Sequence, residues 1–371
     1  MPAVTSGKVL VTGANGYIAV WLVKDLLEKG FTVRGTVRSA AKGEHLKKTF
    51  ASYGDKLELV VVDDITKTGA FDEAVKGVDA IQHTASPFHF NITDPQDLIV
   101  PAVAGTTSIL ESALKHGSTV KRVVVLSSTA AVQTTDLEKP TVFNENNWND
   151  KAVNEVETKG KETSPFDSYM ASKTLAERAA WAWYEKNKAA IQWDLVVFNP
   201  PYVYGPIIHE IQDLSQLNTS MGLFYTVVLK GETDDQTLVK EGNNWIDVRD
   251  VSSALVLALF KEEAANQRFI ISGGTYKWQD WGMWASLCII LHLADEPLPQ
   301  SMLCAKLPPH SLQAIRPTSL KRPSMRSSPT HQNRSRCLVS STARLTRRRK
   351  ILWRTSRRRD GGLCRRPELM E

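Results

Sequence analysis

Cysteine is missing from residues 1–282; all four cysteines (Cys288, Cys304, Cys337 and Cys364) fall in the last part of this 371-residue chain. Their spacing matches no zinc or disulfide framework, and a cysteine-free body suits a reducing compartment. No uninterrupted apolar run approaches the ~18 residues of a bilayer-crossing helix, and no leader-like segment precedes the first strand-like stretch at Lys8. A cytoplasmic protein without membrane attachment is expected. Arginine is scarce as well: residues 1–282 hold 6 Arg and 22 Lys against 35 Asp and Glu, so the body is acidic. The formal net charge of +6 therefore comes from residues 283–371, with 15 Arg, 3 Lys and 5 acidic residues. Internal repeats are also lacking.

What is present begins with a short apolar strand, Lys8 to Thr12, followed at once by Gly13-Ala14-Asn15-Gly16-Tyr17-Ile18-Ala19 and an amphipathic helix that Gly30 stops. Strand, glycine turn and helix are the context that makes a phosphate-binding motif credible. Gly13 permits the tight turn, and Gly16 lets the backbone approach a pyrophosphate at the helix N-terminus. Ala19 stands where a small residue allows close helix–strand packing. The spacing is G-x-x-G-x-x-A, and a plain structural turn is the competing reading. A second strand, Phe31 to Val37, ends in Arg38-Ser39-Ala40-Ala41-Lys42. An NAD site would place an acidic residue there for the ribose; cations at Arg38 and Lys42 suit a 2′-phosphate and favour NADP(H), unless they are a solvated helix start.

The alternation continues. Leu57–Val62 is a strand ending in Asp63-Asp64-Ile65, with Asp64 and Ile65 placed to clamp an adenine. Val78–His83 leads into Thr84-Ala85-Ser86-Pro87 beside the expected cofactor path, with His83 read as a packed strand-end residue. A helix is predicted over Pro101–His116, then a buried strand, Arg122–Leu126, delivering Ser127, Ser128 and Thr129 at its carboxyl end. Strands alternating with helices predict an α/β, doubly wound parallel sheet, with ligands at the strands' carboxyl ends. Tyr169 and Lys173 lie four apart on one helical face. An ammonium held there is expected to lower the phenol's pKa and make Tyr169 a usable proton donor to a carbonyl oxygen.

With these motifs the chain resembles the extended short-chain dehydrogenase/reductases, in particular the branch of fungal NADPH-dependent aldehyde and ketone (methylglyoxal) reductases and plant dihydroflavonol reductases. Asn199-Pro200-Pro201-Tyr202-Val203-Tyr204-Gly205-Pro206 and Trp245 to Val251 add to the likeness, which spans residues 5 to about 281. The resemblance implies a Rossmann-type fold and reduction of a small-molecule carbonyl. Tyr169 would be the acid. Lys173 would hold the nicotinamide ribose and tune Tyr169, and Ser128 would bind the substrate oxygen, with Thr129 as its competitor. Gly13, Asn15, Gly16, Tyr17, Ile18, Arg38, Lys42, Asp64, Ile65, Thr84, Ala85, Ser86, Pro200 and Val203 would line the cofactor. Phe88, Val132 and Phe166 are candidate substrate walls. No metal is expected, and the protein would act as a monomer or homodimer.

The expected domains are an NADP-binding unit over 1–200 (its sheet also using about 243–272), an interleaved and incomplete substrate-binding lobe over 201–282, and a basic, Arg/Ser/Pro-rich tail over 283–371. The tail changes Lys:Arg ratio, cysteine use and periodicity together, which favours out-of-frame translation, with disorder as its consequence, over a genuine disordered extension or a nucleic-acid-binding segment. A product that binds cofactor without turning over, and a sugar-nucleotide epimerase or dehydratase of the same fold, stay open beside the reductase.

Overall fold

The structure, a computed structural model, describes residues 4–282 apart from 87–91, 136, 138, 140 and 232. Phe88 and the basic segment 283–371, expected to be disordered, lie outside the described residues.

The first half runs β1 (Lys8–Thr12), α1 (Tyr17–Glu28), β2 (Thr32–Val37), α2 (Glu44–Thr49), β3 (Leu57–Val61), β4 (Ala80–His83), α3 (Gln96–His116) and β5 (Arg122–Leu126). The second runs α4 (Asp150–Lys159), α5 (Pro165–Asn187), β6 (Asp194–Asn199), β7 (Tyr202–Tyr204), α6 (Thr219–Phe224) and α7 (Asp235–Lys240). It closes with β8 (Gly242–Asp247), α8 (Val248–Phe260), β9 (Arg268–Ile270) and β10 (Gly274–Lys277). Seven strands form one parallel sheet in the order β3-β2-β1-β4-β5-β6-β9. The architecture is the expected doubly wound Rossmann-type sheet. Its order reverses between β1 and β4, and the crevice at that switch point is where such sheets take ligands.

Strand periodicity decides which layer each side chain joins. Val9, Val11, Val124 and Val196 point to the face covered by Leu22, Val23 and Leu26 of α1 and Val251, Leu255 and Leu259 of α8. Leu10, Val123, Val125, Leu195 and Val197 point to the other, covered by Ile109 and Leu110 of α3 and Ala180 and Tyr184 of α5. Both faces are dry, so the strands read as apolar runs rather than alternating ones.

Helix α3 starts five residues before the expected Pro101. Pro95 occupies the N-cap position, Asp94 Oδ1 accepts the Gln96 amide at 2.9 Å, and Leu98 and Ile99 are buried. That burial outweighs the one helical hydrogen bond Pro101 cannot donate. By length and average hydropathy α3 could reach across a bilayer, but 56% of the apolar stretch is buried inside the fold, where α3 packs on α5.

At the amino ends of β5 and β6, Arg122 and Asp194 form a fully buried ion pair, with Nε–Oδ1 at 2.6 Å and Nη2–Oδ2 at 2.9 Å. Arg122 Nη1 also donates to the carbonyls of Ala258 and Lys261 at the end of α8. A second sheet, β10-β8-β7, carries an aromatic cluster. Trp281 stacks on Tyr276 with centroids 4.0 Å apart, and Tyr204 and Tyr276 share a hydroxyl–hydroxyl bond of 2.9 Å. Residues 278–282 are helical.

Candidate active site

The glycine turn sits at the carboxyl end of β1. Gly13 has φ +64°, and a Cβ there would lie 3.2 Å from both Cα and Cβ of Ala85. Its amide donates to Thr36 Oγ1 at 3.1 Å, and the Ala14 amide to the Thr36 carbonyl at 2.9 Å. Gly16 occupies the N-cap of α1 with no side chain capping the first turn, so backbone amides and the helix dipole face the crevice together. Asn15 and Ile18 are half-buried in this turn. Tyr17 turns away from it: the hydroxyl donates to the Gly205 carbonyl at 3.0 Å, and burial holds the phenol protonated. Its side chain braces the 205–209 segment, leaving only its backbone for a cofactor role.

Arg38 and Lys42 stand exposed beyond β2, and among the described residues neither side chain has a hydrogen-bond or ion-pair partner. Two unengaged cations beside an uncapped helix start fit a ligand with a phosphate at each place. Asp64 is partly engaged, since Oδ1 accepts from the Thr66 amide at 2.9 Å and hydroxyl at 2.7 Å, which lowers its pKa. Ile65 packs against α3 at Gly105, where a Cβ would come within 2.8 Å of its Cδ1.

Ser128, two residues beyond β5, is extended and caps the next turn, its Oγ accepting the Ala130 amide at 3.1 Å. The same side chain faces Tyr169 and favours its phenolate. Thr129, the alternative, is buried, with its amide committed to the Pro200 carbonyl at 2.9 Å. Val203 is buried in β7. Lys173 Nζ donates to Ser86 Oγ at 2.7 Å and lies 5.8 Å from the centroid of the Tyr169 ring. Burial pushes the ammonium down to about 8.

The expected lowering of the Tyr169 pKa does not occur in this arrangement. Burial pushes it up to about 12, against a smaller opposing effect of the nearby Ser128 hydroxyl. Lys173 is beside the ring, with its bond directed to Ser86, so it does not offset the desolvation of a phenolate. Of the candidate walls, Val132 is fully buried and Phe166 is 41% exposed at the start of α5, so neither forms an enclosed surface here.

Thr12 is a site residue that pattern reading missed. Its hydroxyl accepts the amides of Thr84 and Ala85 at 3.1 and 3.0 Å, leaving its proton for His83 Nδ1 at 3.0 Å. With both lone pairs of Thr12 used, His83 is the acceptor and carries its own proton on Nε2. Burial pushes His83 down to about 3. The unfolded chain therefore binds a proton between pH 6.5 and 3 that the fold refuses, and stability drops as pH falls through that window. The urea midpoint is expected to decline from pH 7 to pH 5, and to decline less in His83→Gln.

The sequence profile described as the NAD dependent epimerase/dehydratase family matches residues 9–272. The chain belongs to this family. Among family relatives, a putative NADPH-dependent methylglyoxal reductase of Candida albicans is 40% identical over 284 residues, covering 74% of this chain and 81% of that protein. A cinnamoyl-CoA reductase of Medicago truncatula is 36% identical, covering 71% and 75%. The crystal structure of yeast methylglyoxal/isovaleraldehyde reductase complexed with NADPH superposes with a TM-score of 0.65 at 36% identity, covering 74% and 80%.

Proposed function

We propose that this chain reduces the carbonyl of a small aldehyde or ketone, with Tyr169 as the acid, Ser128 holding the carbonyl oxygen and Lys173 binding the cofactor ribose. The observation that carries the reading is the placement of Ser128 against Tyr169 at the carboxyl edge of the sheet, with one strand, β4, between Ser128 and the glycine turn. The chain is an NADPH-dependent oxidoreductase, as its relatives named for methylglyoxal reduction and the NADPH complex of its structural neighbour support. Gly13, Asn15, Gly16, the backbone at Tyr17 and Ile18, and Thr84, Ala85 and Ser86 would cradle the cofactor. Arg38 and Lys42 would take its 2′-phosphate, with Asp64 and Ile65 at the adenine and Pro200 and Val203 at the nicotinamide. NADPH, when bound, supplies the hydride.

What the protein adds is a placed proton and a placed oxygen site. The Tyr169 hydroxyl holds its proton throughout the neutral range and can give it to an oxygen gaining negative charge. Ser128 donates to the same oxygen, a stabilisation realised most fully in the transition state. Residues 1–200 with about 243–272 form the NADP-binding unit in this reading, and 201–282 the substrate-binding lobe. The active form would be a cytoplasmic monomer or homodimer.

Fluorescence titration with NADPH and NADH, followed by turnover on aldehydes and ketones, tests the assignment. Arg38→Ala should weaken NADPH binding by roughly 10- to 100-fold and leave NADH binding unchanged, since a charged hydrogen bond contributes about 1.5–3 kcal/mol. Equal losses for both cofactors would remove the 2′-phosphate assignment. NADPH binding without turnover would favour the catalytically impaired reading.

A further inference from the structure

Glu177 stands one helical turn beyond Lys173 and two beyond Tyr169 on α5, so all three share a face. Its side chain is fully buried. Oε2 accepts from Ser127 Oγ and from Asn199 Nδ2, each at 2.6 Å, and Oε1 accepts from Arg268 Nε at 2.5 Å. The three donors come from different strands: Ser127 follows β5, Asn199 ends β6 and Arg268 opens β9. Asn199 Nδ2 also donates to the Ser128 carbonyl at 2.9 Å. Arg268 reaches further, to the carbonyls of Glu145 at 2.9 Å and Asn147 at 2.6 Å, and its guanidinium lies 3.8 Å from the centroid of Trp148.

A carboxylate without water is strongly unfavourable unless its oxygens are occupied, and here three donors occupy them. Their location is the informative part. One bond holds the residue before Ser128, another holds an amide that grips the Ser128 carbonyl, and the acceptor rides the helix that carries Tyr169. The Tyr169–Ser128 contact joins α5 to β5 through two rotatable side chains. It keeps its geometry only if the helix does not slide on the strand ends.

We propose that Glu177 is a positioning residue for carbonyl reduction, fixing the register of α5 on β5, β6 and β9 so that the Tyr169 hydroxyl and Ser128 Oγ converge. The proposal rests on the reductase reading above. A slip of about 1 Å at reacting groups can cost on the order of 10²-fold in rate without altering distant binding contacts.

The test compares the full chain with Ser127→Ala and Glu177→Gln. Ser127→Ala removes one donor and leaves the Arg268 and Asn199 bonds in place, so it should fold. Glu177→Gln turns an amide NH2 toward a donor, so its melting temperature is checked first. In Ser127→Ala, kcat should fall roughly 10- to 100-fold with NADPH affinity and the KM for the carbonyl unchanged. Amide hydrogen exchange at Thr129 and Ala131 should quicken. A purely structural role would lower the melting temperature without separating kcat from KM. Ser127→Ala with wild-type kcat and wild-type exchange would overturn the proposal. If the wild-type chain binds NADPH but reduces no carbonyl, the reductase reading fails by itself. The exchange comparison needs no turnover and then decides whether Glu177 fixes the strand end.

Discussion

Phenylalanine at position 169 is expected to lower kcat by about 10³-fold, within the range general acid catalysis contributes, while NADPH affinity stays at its wild-type value. Tyr169→Phe deletes one oxygen. The ring remains packed with Ile99, Met170 and Ala171, so the fold should not notice the change. The hydroxyl is the group that Ser128 faces, and its loss removes both the proton and one of two donors to the carbonyl oxygen. With its pKa pushed up to about 12, Tyr169 is protonated at any pH where the enzyme would be assayed. The donor is therefore available without preparation, and the activity lost by Tyr169→Phe should not be recovered by changing pH between 6 and 9. Stopped-flow measurement of hydride transfer, with cofactor binding read separately by fluorescence, checks the split. A variant that keeps more than a tenth of wild-type kcat would mean the proton comes from elsewhere.

Alanine at position 194 should damage stability severely, by removing one half of a buried ion pair. Asp194 and Arg122 are both inaccessible to solvent and pair through two nitrogens and two oxygens. Asp194→Ala would leave the guanidinium buried with only the carbonyls of Ala258 and Lys261 to meet it. Breaking one side of such a pair typically costs about 3–5 kcal/mol. At about 2.1 cal/mol/K of unfolding entropy per residue over roughly 280 folded residues, that corresponds to a fall in melting temperature of about 5–9 °C. Loss should appear in unfolding rather than in cofactor selectivity, because the pair lies at the amino ends of β5 and β6, opposite the glycine turn. A thermal melt of the purified variant decides it, and a shift under about 2 °C would show that water reaches the guanidinium after all.

The front of the fold was legible because its determinants are local. Lys8–Thr12, the Gly13–Gly16 turn and α1 are contiguous, and the four-residue spacing of Tyr169 and Lys173 states a shared face without reference to anything else. Arg122–Leu126 was legible for the same reason, as an apolar run ending in hydroxyl residues. Burial depth is not encoded in spacing. For that reason the spacing points the wrong way for the Tyr169 pKa: Lys173 is near the ring, as expected, but the removal of water decides the outcome. Side-chain direction was equally hidden. Tyr17 lies inside the nucleotide motif yet serves Gly205, and the carboxylate of Asp64 folds back on Thr66. Glu177 was within reach, two turns from Tyr169 on the same face. Its partner Arg268 was not, because no local pattern around Arg268 announces a contact with a helix 91 positions earlier.

Strand β9 carries a consequence for how the chain is made. It pairs with β6, yet β7, β8 and α8 intervene between them in the chain. A ribosome releases β1 to β6 first, so six strands of the parallel sheet can assemble while the seventh is still being synthesised. During that interval β6 is an open edge, with main-chain donors and acceptors unpaired and available to a neighbouring nascent chain. The late arrival of β9 thus leaves an interval for misassembly after the nucleotide-binding strands are complete.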